Sequence, residues 1–234
     1  MKNRRTTLKT STTFTDKMHE LAKPLWLRSV NHPFIKQLTA GELPMSTFRY
    51  YLLQDRYYLS EFGKLHNLIA DQLDDPSAIG FLRKGAEGLK NGEIAVRKGF
   101  FTELNITKEE IALTPIAPTA YNYVNHMYAA LYRGTPQRAI SALLPCYWLY
   151  NEIGKAVISK GAPVSLYQQW IETYDSEGYT DSVNQMIQLT NLAASQVDDA
   201  ERQQMTDVFI KSSAYELGYW QMSLKHENWD ALTK

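Results

Sequence analysis

Apolar side chains recur along much of this chain at intervals of three and four residues, the spacing that gives a helix one inward face. From Phe14 to Ser29 the positions Met18, Leu21, Ala22, Leu25 and Trp26 predict an amphipathic helix with a bend or restart at Pro24. Asn31 to Phe34 breaks it, and a short helix around 34–38 ends at Gly41, where a left-handed stop is natural. The longest periodic segment follows Pro44 and runs from Met45 to Leu73. Its stripe holds Tyr51, Leu52, Asp55, Tyr58, Leu59 and Phe62, so an acid and two tyrosines ride with the aliphatic contacts. After the turn Asp74-Asp75-Pro76-Ser77 a further helix is expected to Leu104, with Phe81, Leu82, Leu89, Ile94 and Phe101 inward and a charged outer face.

Asn105 to Pro118, with prolines at 115 and 118, reads as the longest irregular stretch. A helix then begins at Thr119 and stops at Gly134. Thr135-Pro136, a cap followed by proline at the first helical position, starts another that reaches Lys160. Between Ala139 and Tyr150 this helix has little polar surface, so it is expected to be central and buried nearly all round. Pro145 lies inside it, where the missing N–H and the crowding of Ser141 predict a kink costing about 3 kcal/mol unless compensated. The next residue is Cys146, the only cysteine in the chain. Helices over 163–174, 179–195 and 198–225 complete the pattern, and no strand-like alternation exceeds a few residues. The expected fold class is all-α, in one domain.

The chain has 234 residues, 44% of them hydrophobic, enough for a substantial core. Lys plus Arg and Asp plus Glu both total 25, so no cationic excess drives counterion release, and nucleic-acid binding is not expected. No run approaches the roughly 18 apolar residues of a membrane span. A single cysteine excludes an intramolecular disulfide framework and fits a reducing cytoplasm. The basic, Thr-rich start lacks an apolar h-region, and residues 1–13 are expected to form a disordered extension. Fifteen tyrosines, five tryptophans and eight phenylalanines supply amphipathic rings for a flat polar ligand or for helix packing.

Common catalytic motifs are missing. No Glu-x-x-His tetrad of a bundle metal centre, Walker loop, dinucleotide glycine pattern or Gly-x-Ser-x-Gly elbow occurs, and the five histidines are scattered singly. What remains is pairs sharing helix faces: Cys146 with Tyr150, Asp55 with Tyr58, and Glu216 with Tyr219. A thiol with a pKa near its reference of about 8.5 is mostly protonated at neutral pH, so Cys146 as a nucleophile needs help from another helix or from the substrate.

Five blocks carry a resemblance: Leu53 to Leu59, Pro118 to Tyr128, Leu144 to Tyr150, Trp170 to Tyr174, and Tyr215 to Trp220. In order and spacing they resemble the TenA family, the thiaminase II or aminopyrimidine aminohydrolase enzymes, over Phe14 to Trp229. The resemblance implies a haem-oxygenase-like helical bundle without haem or other cofactor, spanning 14–234, and a homotetramer. It also implies hydrolysis at the carbon attached to C5 of a 4-aminopyrimidine, in thiamine salvage. Thiamine and aminomethyl-aminopyrimidine would be substrates and hydroxymethylpyrimidine the product. By resemblance Cys146 adds to C6 of the ring, Glu216 protonates a ring nitrogen, and Asp55 binds the amino edge; the two acids could exchange roles. Tyr58, Tyr123, Tyr150, Tyr174 and Tyr219 match the pocket positions. No metal site is implied.

Tyr219 stands where the family commonly has phenylalanine, and Arg97 where many members have histidine. Two other readings compete: a non-catalytic pyrimidine-binding or regulatory protein, and a haem- or metal-dependent oxidase with His19 or His126 as ligand.

Overall fold

The computed structural model describes residues 12–230, apart from the side chains of 90–98. Every described element is a helix: α1 (Phe14–Val30), α2 (Pro33–Ala40), α3 (Met45–Ala70), α4 (Pro76–Glu103), α5 (Lys108–Leu113), α6 (Pro118–Tyr132), α7 (Pro136–Val157), α8 (Ser165–Asp175), α9 (Glu177–Ser195) and α10 (Asp199–Lys225). Most of the expected N-terminal extension, together with Ile94 and Arg97, lies outside the described residues.

Local chemistry sets the helix ends. Thr13 and Asp16 form a reciprocal capping box at the start of α1, each satisfying a backbone N–H that the helix cannot pair internally. Thr135, Ser176 and Asp198 cap α7, α9 and α10 in the same way through one side-chain oxygen each. Gly41 closes α2 in the left-handed region at φ 75°.

α7 is the axis of the fold. It packs most extensively against α10 and also touches α1, α3, α6, α8 and α9. All its residues from Ala139 to Tyr147 are buried, as the continuous apolar run predicts. α10 can lie close because it presents small side chains, with Ser212, Ser213 and Ser223 fully buried. The Ser141 hydroxyl of α7 donates to the Met205 carbonyl of α10 at 2.7 Å, and the Trp26 indole of α1 donates to Ser213 at 2.9 Å.

The helix bounds and buried faces refine several expectations. Helices α1 and α7 are each continuous through their internal prolines, Pro24 and Pro145, so α1 does not restart at Pro24. The stretch 105–118 contains α5, a single capped turn and a half with no buried side chain. Arg49 of α3 holds it by pairing with Glu110, so tertiary charge pairing rather than periodicity makes it helical. Leu21 was expected to face inward but is 61% exposed. On α4 the buried ring is Phe100, while Phe81, Leu89 and Phe101 are half-buried and Leu82 fully buried.

Candidate active site

Five helices bring the sequence-predicted residues to one place beside α7: Asp55 and Tyr58 from α3, Tyr123 from α6, Cys146 and Tyr150 from α7, Tyr174 from α8, and Glu216 and Tyr219 from α10. On α3, α7 and α10 the spacing of three or four turns both members of each pair to the same side. Close approach of α7 and α8 adds Tyr174. Gly154 of α7 sits so near that a Cβ there would stand 2.9 Å from the Tyr174 backbone carbon, and the Asn151 amide donates to the Tyr174 carbonyl at 2.9 Å. The Tyr174 ring is thereby set 4.8 Å from Tyr150 and 4.9 Å from Trp170.

Tyr58 and Tyr123 are neighbours of both the thiol and the buried acid. The Tyr58 hydroxyl donates to Met127 Sδ at 3.9 Å and lies close enough to the Cys146 thiol and the Tyr123 hydroxyl to affect both electrostatically. Tyr123 in turn donates to Glu216 Oε1 at 2.7 Å, and the Tyr58 and Tyr123 rings lie 5.0 Å apart. Glu216 is 1% exposed. Burial pushes its carboxyl up to about 8, the nearby Asp55 adds to the rise, and the Tyr123 hydroxyl opposes it. Burial also pushes the Cys146 thiol well above its ordinary range; the negative charges of Glu216 and Asp55 reinforce this, while Tyr58 counters it. Tyr58, Tyr123 and Tyr150 are likewise raised by burial first, so their hydroxyls stay protonated and can donate. At neutral pH the unliganded site therefore holds a neutral thiol and a largely neutral Glu216 side by side.

Sequence reasoning left several wall residues unassigned. Tyr51 and Trp170 meet through an indole–hydroxyl bond of 3.3 Å, and Trp220 packs 5.3 Å from Tyr150. The buried Trp220 Nε1 has no protein hydrogen-bond partner among the described residues. Tyr51 shares the α3 stripe with Asp55 and could have been found there. Tyr179 could not: its hydroxyl reaches the Cys146 carbonyl at 3.3 Å from α9, an approach that local spacing does not encode.

The two histidines weighed as metal or haem ligands have other neighbours. His19 Nε2 lies 2.7 Å from Glu152 Oε1 with its ring stacked on Trp148, and His126 Nε2 is 3.2 Å from the Val208 carbonyl. Among the described residues no group of three or more His, Cys, Asp or Glu side chains is placed to hold a metal ion. No described helix is long and apolar enough to cross a membrane. A cleft of about 180 Å³ lined by Gln72, Asp74, Gln137 and Gln196 shares no residue with the cluster around Cys146.

Known proteins resemble this chain in sequence and in fold. An "Aminopyrimidine aminohydrolase" of Bacillus subtilis (strain 168) is 34% identical over 216 residues, covering 92% of each chain. A TenA homologue protein from P. horikoshii OT3 superposes with a TM-score of 0.83 at 27% identity, covering 91% of this chain and 99% of that one. A Shewanella denitrificans domain with a heme oxygenase-like fold superposes with a TM-score of 0.71 at 12% identity over 94% of this chain and 95% of its own, a likeness of fold alone. The family model described as TENA/THI-4/PQQC matches residues 19–226, and the chain belongs to that family.

Proposed function

We infer that this protein is an aminopyrimidine aminohydrolase of the thiaminase II type, and that it works through a covalent adduct on Cys146. The single observation that carries the reading is the dry constellation around the thiol: Cys146 buried beside Tyr58 and Tyr123, the Tyr123–Glu216 hydrogen bond, and Asp55 close by.

The chemistry follows from the acid–base states. A neutral pyrimidine is a poor electron sink until a ring nitrogen takes a proton. Glu216, kept protonated by burial, supplies one; having become a carboxylate, it can recover a proton from the Cys146 thiol. The net step adds S–H across the C6–N bond of the ring. The electron pair of the 4-amino group then expels the leaving group from the methylene on C5: neutral thiazole from the thiazolium, or ammonia from the aminomethyl group in its ammonium form. The proton later lost by the adding water balances the latter. Water adds to the exposed methylene, the thiolate leaves C6, and the ring nitrogen returns its proton. Substrate and water enter, and hydroxymethylpyrimidine and the leaving group depart, with no net change in the protein. Asp55 accepts from the 4-amino group and orients the ring. The walls formed by Tyr58, Tyr123, Tyr150, Tyr174 and Tyr219 stack on it and donate hydroxyl hydrogens. The same acids and thiol weigh against the non-catalytic regulatory reading, since binding alone needs no nucleophile beside a protonated carboxyl.

A lone thiol that must stay reduced favours the cytoplasm, and the products suit a salvage step in thiamine metabolism. We place the enzyme in a homotetramer. The exposed Tyr121 and Tyr132 lie on the same side of α6, where a second copy would cover them, and equilibrium sedimentation would read four chains. Parallel incubation with thiamine and with aminomethyl-aminopyrimidine, followed by product analysis, tests the assignment. Hydroxymethylpyrimidine is expected from both; its absence from both would refute the activity.

A further inference from the structure

His66 has both ring nitrogens engaged inside the protein. Nδ1 lies 2.7 Å from the Phe62 carbonyl and Nε2 lies 2.6 Å from the Tyr147 hydroxyl. A carbonyl can only accept, so Nδ1 carries the hydrogen and Nε2 receives the one from Tyr147. The histidine is fully buried, and burial lowers its pKa to about 4, which keeps the ring neutral and this polarity fixed. Helix α4 closes over the pair at Gly85, where a Cβ would stand 3.1 Å from His66 Cδ2 and 3.3 Å from the Tyr147 oxygen.

The location gives the pair its meaning. Tyr147 directly follows Cys146, on a turn where Pro145 withholds one helical hydrogen bond. A turn lacking that bond is free to shift unless something outside α7 holds it. On its other flank the Tyr179 hydroxyl of α9 takes the Cys146 carbonyl at 3.3 Å, so the turn is tethered to α3 and to α9. Burying two polar groups here is not required for stability, because an apolar pair of the same shape would be close to neutral. What a hydrogen bond adds is direction.

We propose that His66 is a positioning residue of the active site: through its hydrogen bond to Tyr147 it fixes the turn of α7 that carries the Cys146 thiol. The proposal rests on Cys146 being the nucleophile. Displacing a reacting atom by about 1 Å can cost up to a hundredfold in rate while leaving substrate binding intact.

Four variants test this, each measured for kcat, KM and melting temperature. In the double variant His66→Leu/Tyr147→Phe no polar atom is orphaned, so it is expected to melt near the wild type. Its kcat is expected to fall by about tenfold or more with KM within about threefold. His66→Gln, whose amide oxygen can accept from Tyr147, is expected to retain kcat within about threefold, a rescue that packing volume alone would not produce. A double variant with wild-type kcat overturns the proposal, as does a His66→Gln variant no more active than the double variant. If the double variant does not fold, Tyr147→Phe alone is read the same way, wild-type kcat overturning the proposal. Cys146→Ser separates the two ideas: turnover retained there removes the nucleophile reading itself, whereas an inactive Cys146→Ser beside a fully active double variant refutes only the positioning role.

Discussion

Glu216 shows how much one residue's surroundings can decide. Burial against α7 and the neighbouring Asp55 carry its carboxyl up to about 8, while the Tyr123 hydroxyl bonds Oε1. In its proposed role as ring acid it must be protonated when substrate binds. The kcat/KM of the wild type should therefore decline as pH rises through about 8, where Glu216 ionises. Glu216→Gln should lose that alkaline limb and lose more than about tenfold in rate, roughly 1.4 kcal/mol; a smaller loss, with the limb intact, would take the acid role away from it. That Glu216, Asp55 and Cys146 belonged together was legible because each sits with a tyrosine at helical spacing in a recognisable block. A dry aromatic setting already pointed to a raised Glu216 carboxyl, and burial does raise it; the partner that bonds it, Tyr123, could not be read because it lies 93 residues away in sequence. His66 was harder still: a lone histidine on α3 gives no sign of Tyr147, 81 residues away.

Among the helices, α7 was the most legible, because an element buried on every side writes an almost unbroken apolar run. Amphipathic helices were read with less success. A stripe says which residues share a face and not what covers it, so Leu21 of α1 stands exposed and the inward ring of α4 is Phe100. Helix α5 carries no buried residue and depends on the Arg49–Glu110 pair, so no hydrophobic period could announce it. The contact between α7 and α8 yields a prediction at this scale. Gly154→Ala forces a methyl to within 2.9 Å of the Tyr174 backbone, which can only be relieved by moving α8 outward. Overpacking of this kind costs about 1–3 kcal/mol, and it should carry Tyr174 away from Tyr150, raising KM for aminopyrimidines. A melting temperature and KM unchanged from the wild type would show that the crossing does not set the pocket wall.

For the molecule as a whole, the site is held at a cost to stability that depends on pH. An acid whose folded pKa is raised contributes stability that is complete below its ordinary value of 4.5 and is lost as pH rises through about 8. Glu216→Gln removes this dependence while keeping an oxygen for Tyr123. It should therefore melt higher than the wild type at pH 9, by an amount on the order of a few kcal/mol, with the gain shrinking toward pH 5; a pH-independent difference would contradict the buried-acid account. The proposed covalent chemistry at Cys146, on the central helix α7, has a direct test. The rate of hydroxymethylpyrimidine formation from aminomethyl-aminopyrimidine by Cys146→Ser, measured on folded protein that still binds the pyrimidine, should be several orders of magnitude below the wild type, whereas turnover at the wild-type rate would contradict the covalent mechanism.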